Sequence, residues 1–214
     1  MKTPHFFSHA TALVETADVG KGTRIWAFAH VLKGALIGRD CNLGDHCFVE
    51  GGAVIGDRVT VKNGVMVWDG VTIEDDVFIG PATIFTNDLS PRSPRFPAVR
   101  ARYKSKGWLV PTRVKRGASI GANATIVCGV TIGRCAMIAA GTVVTHDVPD
   151  HALVVGVPGE LKGWVSETGA RLRFGSDNIA ICPDTRTSWR LVAGKRLIRV
   201  SAGIARNPVE FGSR

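Results

Sequence analysis

Asp69 and Asn87 stand eighteen residues apart, and so do Glu50, Trp68 and Thr86 taken in succession. In a chain that climbs one layer every eighteen residues, an acid and an amide would lie side by side, flanked by a column of three further side chains. A carboxylate accepts the protons of an amine, and a carboxamide fixes its orientation. The pair therefore suits holding and orienting a primary amine. The same residue types also satisfy turn backbone, so both readings stand at this point.

The layer that would align them is written in a six-residue beat. From Leu13 an aliphatic side chain recurs at Val19, Ile25, Val31, Ile37, Leu43, Val49, Ile55, Val61, Val67, Ile73 and Ile79, ending at Phe85. It resumes at Val114, Ile120, Ile126, Ile132, Ile138 and Val144. Four positions after each comes a small or β-branched residue such as Thr23, Ala29, Ala35, Cys41 or Cys47, and glycine often follows the aliphatic one directly. A period of six is the mark of a parallel β-helix. Three hexads make one triangular coil, so residues 13–88 give roughly four coils and 114–148 about two more. The aliphatic residues point inward, the small residues turn the corners, and the N-terminal segment and the tail cover the ends.

Between the two runs the beat fails. Val114 lies 29 positions after Phe85, and the intervening stretch holds Pro91, Pro94, Pro97 and Pro111, so about 89–113 is an extruded loop. Residues 89–116 carry Arg92, Arg95, Arg100, Arg102, Lys104, Lys106, Arg113, Lys115 and Arg116 and no acid, in a chain of net charge +9. The tail from 160 is also basic, and the remainder is net acidic. A basic insertion on an acidic scaffold suits a local anion as well as a solvated loop surface. Base-stacking platforms and nucleic-acid motifs are missing, so a phosphorylated small molecule is favoured over nucleic acid.

The 214 residues, 45% hydrophobic with mean hydropathy +0.12, suffice for one core and an appendage. No apolar stretch approaches 18 residues, so no membrane insertion is expected. The N-terminus lacks a long apolar segment followed by a cleavage site, and the five cysteines (41, 47, 128, 135 and 182) read as reduced thiols. A cytoplasmic protein is expected.

The stretches WDGVTIEDDVFIGP, FTND followed by PRS, KRGASIGANATI, AAGTVVTHDVP and VVGVPG occur in that order. Together they resemble the nucleotide-linked amino-sugar N-acetyltransferases of the hexapeptide-repeat acyltransferase family, over about residues 9–160. The resemblance implies an all-β, left-handed parallel β-helix. It also implies direct acetyl transfer from acetyl-CoA and a homotrimer with sites between neighbouring helices. The implied acceptor is the 3-amino group of a UDP-linked uronic acid, for surface polysaccharide. A dTDP-linked 3-amino-3,6-dideoxyhexose is the alternative, and a non-catalytic sugar-nucleotide-binding β-helix is a further one.

Under that resemblance Asp69 and Asn87 flank the acceptor amine. Glu50, Trp68, Thr86 and Asp88 surround the substrate, and Arg92 meets a nucleotide diphosphate or a uronate carboxylate. His30 either lines the sugar pocket or plays a structural part. Gly121, Ala122, Ala139, Ala140 and Gly141 let the pantetheine arm approach, although tight coil stacking explains small residues equally well. Lys162 is a candidate for the CoA phosphates. No histidine falls on the Asp69/Asn87 column when counted by eighteens, and no histidine pair fits the metal site of the γ-class carbonic anhydrases, which share the fold. No metal is expected. From 161 to 214 the chain reads as a small β appendage resembling a zinc ribbon without its ligands: knuckles would fall at Ser166–Gly169 and Cys182–Thr185, and only Cys182 is a thiol. Residues 201–214 show no pattern and are expected to be loosely ordered.

Overall fold

A computed structural model of the chain describes residues 5–194 and 196–200. Short strands recur every six residues and fall into three sheets in strict rotation. The first sheet runs from Phe7–Ser8 through Arg24–Ile25, Asn42–Leu43, Thr60–Val61, Phe78–Ile79, Ser119–Ile120 and Met137–Ile138 to Ala152–Val155. The second holds Leu13–Val14, His30–Val31, Phe48–Val49, Met66–Val67, Ile84–Phe85, Thr125–Ile126 and Val143–Val144. The third holds Leu36–Ile37, Val54–Ile55, Val71–Ile73, Thr112–Val114 and Thr131–Ile132. Neighbours pair in parallel, as Ile25 with Leu43 and Leu43 with Val61 do. The expected parallel β-helix is present.

Its core is the beat itself. From Val19 to Phe85 and from Val114 to Val144 every residue of the series is buried. Stacked aliphatic columns inside three walls exclude water along the axis, at about 1.5–3 kcal/mol for each fully buried side chain. The series starts one step late: Leu13 is 54% exposed, and its neighbour Val14 is the one that pairs with Val31. The first coil is one residue shorter than the rest, which shifts the inward position.

The corners carry a second six-residue rhythm that the composition of the hexads hides. A residue with φ near +50° to +100° occurs at Gly22, Phe28, Gly34, Asp40, His46, Gly52, Arg58, Gly64, Gly70, Asp76 and Ala82. It resumes at Gly117, Asn123, Gly129, Cys135 and Gly141. The coil geometry imposes left-handed backbone even on Phe28 and Arg58, at a local cost that stacking repays. The glycines that follow the aliphatic residues serve another purpose. A Cβ on Gly38 would lie 2.4 Å from the carbonyl carbon of Gly56 in the next coil, so bare backbone is needed for the coils to stack.

Ile73 pairs with Val114, 41 positions on instead of eighteen, so the excursion adds 23 residues to one coil. It contains three single 3-10 turns, Pro97–Val99, Arg102–Lys104 and Lys106–Trp108, and then rejoins the third sheet through Thr112.

At the other end Glu160–Trp164 folds back antiparallel on Ala152–Val155 and closes the first sheet. The boundary expected at 160/161 therefore cuts through the capping strand. Beyond it Ile179–Ile181, Ser188–Val192 and Arg196–Val200 form a separate antiparallel sheet. Trp189 from this sheet packs on His151 of the last coil, with ring centroids 4.7 Å apart. The knuckle positions do converge: Ser166 Oγ lies 2.8 Å from Thr168 Oγ1, which lies 3.9 Å from Cys182 Sγ and donates to Asp184 Oδ2 at 2.5 Å. Hydroxyls occupy places where a zinc ribbon has thiolates. Burial pushes the Cys182 thiol up, but hydrogen bonds from Ser166, Thr185 and nearby backbone N–H groups outweigh it and bring its pKa to about 6. The segment 201–214 lies outside the described residues.

Candidate active site

At several corners a carboxylate stitches one coil to the next. Asp57 Oδ1 accepts the N–H of Arg39 at 2.7 Å, Asp75 that of Asp57 at 2.9 Å, and Asp45 that of Ala27 at 3.1 Å. Asp147 and Asp150 do the same for Thr131 and Arg134. These are the ordinary duties of aspartate in turns.

Asp69 departs from the pattern. Its own N–H is held by Glu50 Oε2 at 2.9 Å, so Glu50 is the stitch at this corner. The Asp69 carboxylate, 17% exposed, faces the insertion, and its hydrogen-bond partner among the described residues is the ammonium of Lys106. That contact, with Glu50 adding to the field, holds the Lys106 amine above its ordinary pKa. Gly52 beneath has φ +97°, and a Cβ there would sit 2.2 Å from Asp69 Oδ1, so the glycine makes the room for the carboxylate.

Met66 pairs with Ile84, and Asp69 and Asn87 each follow three positions after these partners, on adjacent coils. The Asn87 carbonyl accepts the N–H of Val110 at 3.0 Å, and its half-buried carboxamide makes no side-chain hydrogen bond among the described residues. Trp68 is fixed by Nε1–H donating to the Phe85 carbonyl at 2.9 Å and by an aromatic contact with Phe48 at 5.5 Å. Thr86 Oγ1 accepts the N–H of Cys128 at 2.9 Å, which makes it a link to the next coil.

Asp88 ties the first residues of the insertion to its middle. Asp88, 8% exposed, takes the Ser90 N–H at 2.9 Å, the Tyr103 hydroxyl at 2.7 Å and an ion pair with Arg102. Burial raises the Asp88 carboxyl, but these donors prevail and leave it below its usual range. Asp88 was expected at the substrate; its oxygens are committed to the loop instead. Leu109 then covers Gly70, and Val110 lies against Gly129. Arg92 sits on the exposed loop, with Nη1 donating to the Pro91 carbonyl at 2.9 Å and its N–H donating to the Tyr103 hydroxyl at 3.0 Å. Lys106, Arg102 and Tyr103 were not singled out from the sequence. Their place depends on how a 23-residue excursion folds, and no periodicity reports that.

His30 stands on the outer face of the second sheet, 3.0 Å from Glu15 and edge-on to Phe48. The register also revises one expectation about histidines. Phe85 pairs with Ile126 and Ile126 with Val144, so two residues on Asn87 aligns with Cys128 and then with exposed His146. Counting by eighteens across the insertion missed this alignment. Two coil steps, roughly 10 Å, separate His146 from Asn87.

The residues expected along CoA lie at a different corner, between the first and second sheets. A Cβ on Gly121 would meet Ala140 N at 2.4 Å, so coil stacking accounts for that glycine. Gly141, with φ +70°, has nothing within 4 Å of its would-be Cβ, and Ala122 and Ala140 flank it. This smooth strip fits a narrow, flexible arm. Lys162 pairs with Glu160 at 2.7 Å on the exposed face of the capping strand. One wall of the triangle, six residues or roughly 20 Å, separates the strip from the Asp69 corner. One chain does not bring the two together.

Two stretches match known families: residues 111–146 match "Bacterial transferase hexapeptide (six repeats)" and residues 34–68 match "Hexapeptide repeat of succinyl-transferase". The chain is 51% identical over 176 residues to dTDP-3-amino-3,6-dideoxy-alpha-D-galactopyranose 3-N-acetyltransferase of Aneurinibacillus thermoaerophilus, covering 82% of this chain and 86% of the relative. It belongs to the hexapeptide-repeat acetyltransferase family. Its β-helix is accordingly of the left-handed class. A more distant relative, the bifunctional protein GlmU of Thermosynechococcus vestitus, is 29% identical over 144 residues; these make up 67% of this chain and only 28% of that protein. Among solved structures, a hexapeptide transferase family protein from Anaplasma phagocytophilum superposes with a TM-score of 0.51 at 14% identity, over 77% of this chain and 81% of that one. Among the described residues no helix is long and apolar enough to cross a membrane, and no three His, Cys, Asp or Glu side chains gather as a metal site.

Proposed function

We propose that the protein transfers the acetyl group of acetyl-CoA to the 3-amino group of a dTDP-linked 3-amino-3,6-dideoxyhexose. The observation that carries the reading is the Asp69 carboxylate, turned away from backbone duty and already bonded to a primary ammonium. The 51% identity to an acetyltransferase of a dTDP-linked 3-amino sugar supports this acceptor over the UDP-linked uronic acid ranked first from the sequence.

Acetyl-CoA supplies an activated acyl carbon. Asp69 holds the acceptor nitrogen and draws off its proton charge, while the unbonded carboxamide of Asn87 orients it. The nitrogen lone pair bonds to the acetyl carbon, the carbon–sulfur bond breaks, and the nitrogen's proton passes to Asp69 or to the departing sulfur. No acyl-enzyme is required. Trp68 and Phe48 form an aromatic wall beside the pair. The CoA strip of one chain and the Asp69 corner of another meet in a homotrimer, with the exposed Ile84 and neighbouring Met66 on the second-sheet face between them.

The test is CoA release, followed with a thiol reagent, on dTDP-linked 3-amino-3,6-dideoxyhexose and UDP-linked 3-amino uronate in parallel. Release with the dTDP sugar, lost in Asn87→Ala, is expected. Preference for the uronate would restore the acceptor ranked first, and no release with either would remove the reading.

A further inference from the structure

The insertion brings one side chain into the amine corner that no periodicity announced. Lys106 opens the Lys106–Trp108 turn, is 75% exposed along its stem, and ends on Asp69 Oδ2. We propose that Lys106 is a resident stand-in for the acceptor's ammonium, seated on Asp69 in the empty enzyme and released when the amino sugar arrives. The inference rests on the acceptor being an amine, and it names the residue that the amine must displace.

The argument is one of charge and geometry. Asp69 is mostly covered, its N–H is taken by Glu50, and Glu50 adds a second negative charge beside it. Left alone, a carboxylate in that position would face an uncompensated field, so a cation belongs there in every state. Lys106 supplies it from an exposed stem, and its ammonium makes no other hydrogen bond or ion pair among the described residues. The nearby loop cation Arg102 cannot do this, because it is tied to Asp88 and to the Ser90 carbonyl at 2.7 Å. A primary ammonium on the sugar presents the same donor type as Lys106, so one cation replaces another and the corner keeps its net charge. A hydroxyl at that sugar position brings no charge and cannot make the exchange. Lys106 would thereby act as a specificity-determining residue for amines over alcohols, working through Asp69.

The test labels lysines briefly with an N-hydroxysuccinimide ester and reads Lys106 by peptide mass spectrometry. Asp69→Asn should raise Lys106 labelling several-fold without any sugar; unchanged labelling removes the contact. In the unmutated protein, dTDP-linked 3-amino sugar should raise labelling, and the 3-hydroxy analogue should leave it as it was. Equal effects of the two sugars, or protection by the amine, overturn the exchange. Kinetics give the second readout. Lys106→Met should lower the acceptor KM about two- to five-fold, the scale of an exposed ion pair that no longer has to be broken. The acetyl-CoA KM should hold, kcat should not fall in parallel, and Lys106→Arg should restore the original acceptor KM. An active enzyme whose acceptor KM is unmoved or raised in Lys106→Met sinks this proposal alone. An enzyme that releases no CoA with any amino sugar sinks it together with the proposed function.

Discussion

Thr112 sits at the seam where the insertion rejoins the β-helix, and its hydroxyl is buried without a hydrogen-bond partner. The residue is 2% exposed and faces inward. Val71 pairs with it directly in the coil below, and the register puts Val130 in the same place in the coil above. The column therefore already accepts valine on both sides. Replacing Thr112 by valine keeps the shape, removes an unsatisfied hydroxyl worth about 1–3 kcal/mol, and puts a methyl group in its place. A net stabilisation of about 1–2 kcal/mol is expected, which for a chain of this size raises Tm by about 2–8 °C. The assay is thermal unfolding at a fixed scan rate, with the guanidinium midpoint as a check, because solenoids need not unfold in one step. CoA release should be unchanged, since Thr112 points into the core and Asp69 lies outside it. A lower Tm in Thr112→Val would mean that the hydroxyl is satisfied, and would refute the description of this column as dry.

Asp69→Asn should lower kcat/KM about a hundred-fold or more while leaving Tm nearly unchanged, because this carboxylate stitches no coil. Asp57→Ala should do the reverse, lowering Tm with the CoA-release rate intact, since Asp57 holds the Arg39 N–H and guanidinium. Gly121→Ala should prevent soluble folding because its Cβ meets backbone at 2.4 Å, whereas Gly141→Ala should fold and reveal, through the acetyl-CoA KM, whether that strip carries CoA. Burial holds His151 below the ordinary histidine value of 6.5, against the Val165 carbonyl and the nearby Asp150 and Glu167, which raise it. A folded pKa below the unfolded one means that the unfolded chain binds more protons, so stability is intact above about 6.5 and falls as pH drops through that value. Tm measured from pH 7.5 to 5 should decline, and the decline should flatten in His151→Asn, a residue that tolerates the φ of +64° found there.

The sequence by itself determined the coil. A six-residue period buries its aliphatic position by closing into three walls, so the three sheets and the eighteen-residue register as far as Ile84 followed from spacing alone. It also showed where the solenoid breaks, because Phe85 to Val114 is no multiple of six. Its reach ended where period ends. Leu13 looked like the first beat because residue types cannot report a coil one residue short. The register past the break was hidden until the 23-residue offset was known, which is why Cys128 and His146 fell out of the counted column. Glycines that looked like a CoA strip divide, in three dimensions, into one forced by neighbouring backbone and one facing open space. Only the tertiary structure could decide that Asp88 is spent on Tyr103 and Arg102 and that Lys106 is the cation on Asp69. These contacts join residues up to 37 positions apart through an irregular loop, and they are settled by which charges the folded loop brings within reach rather than by any repeat in the chain.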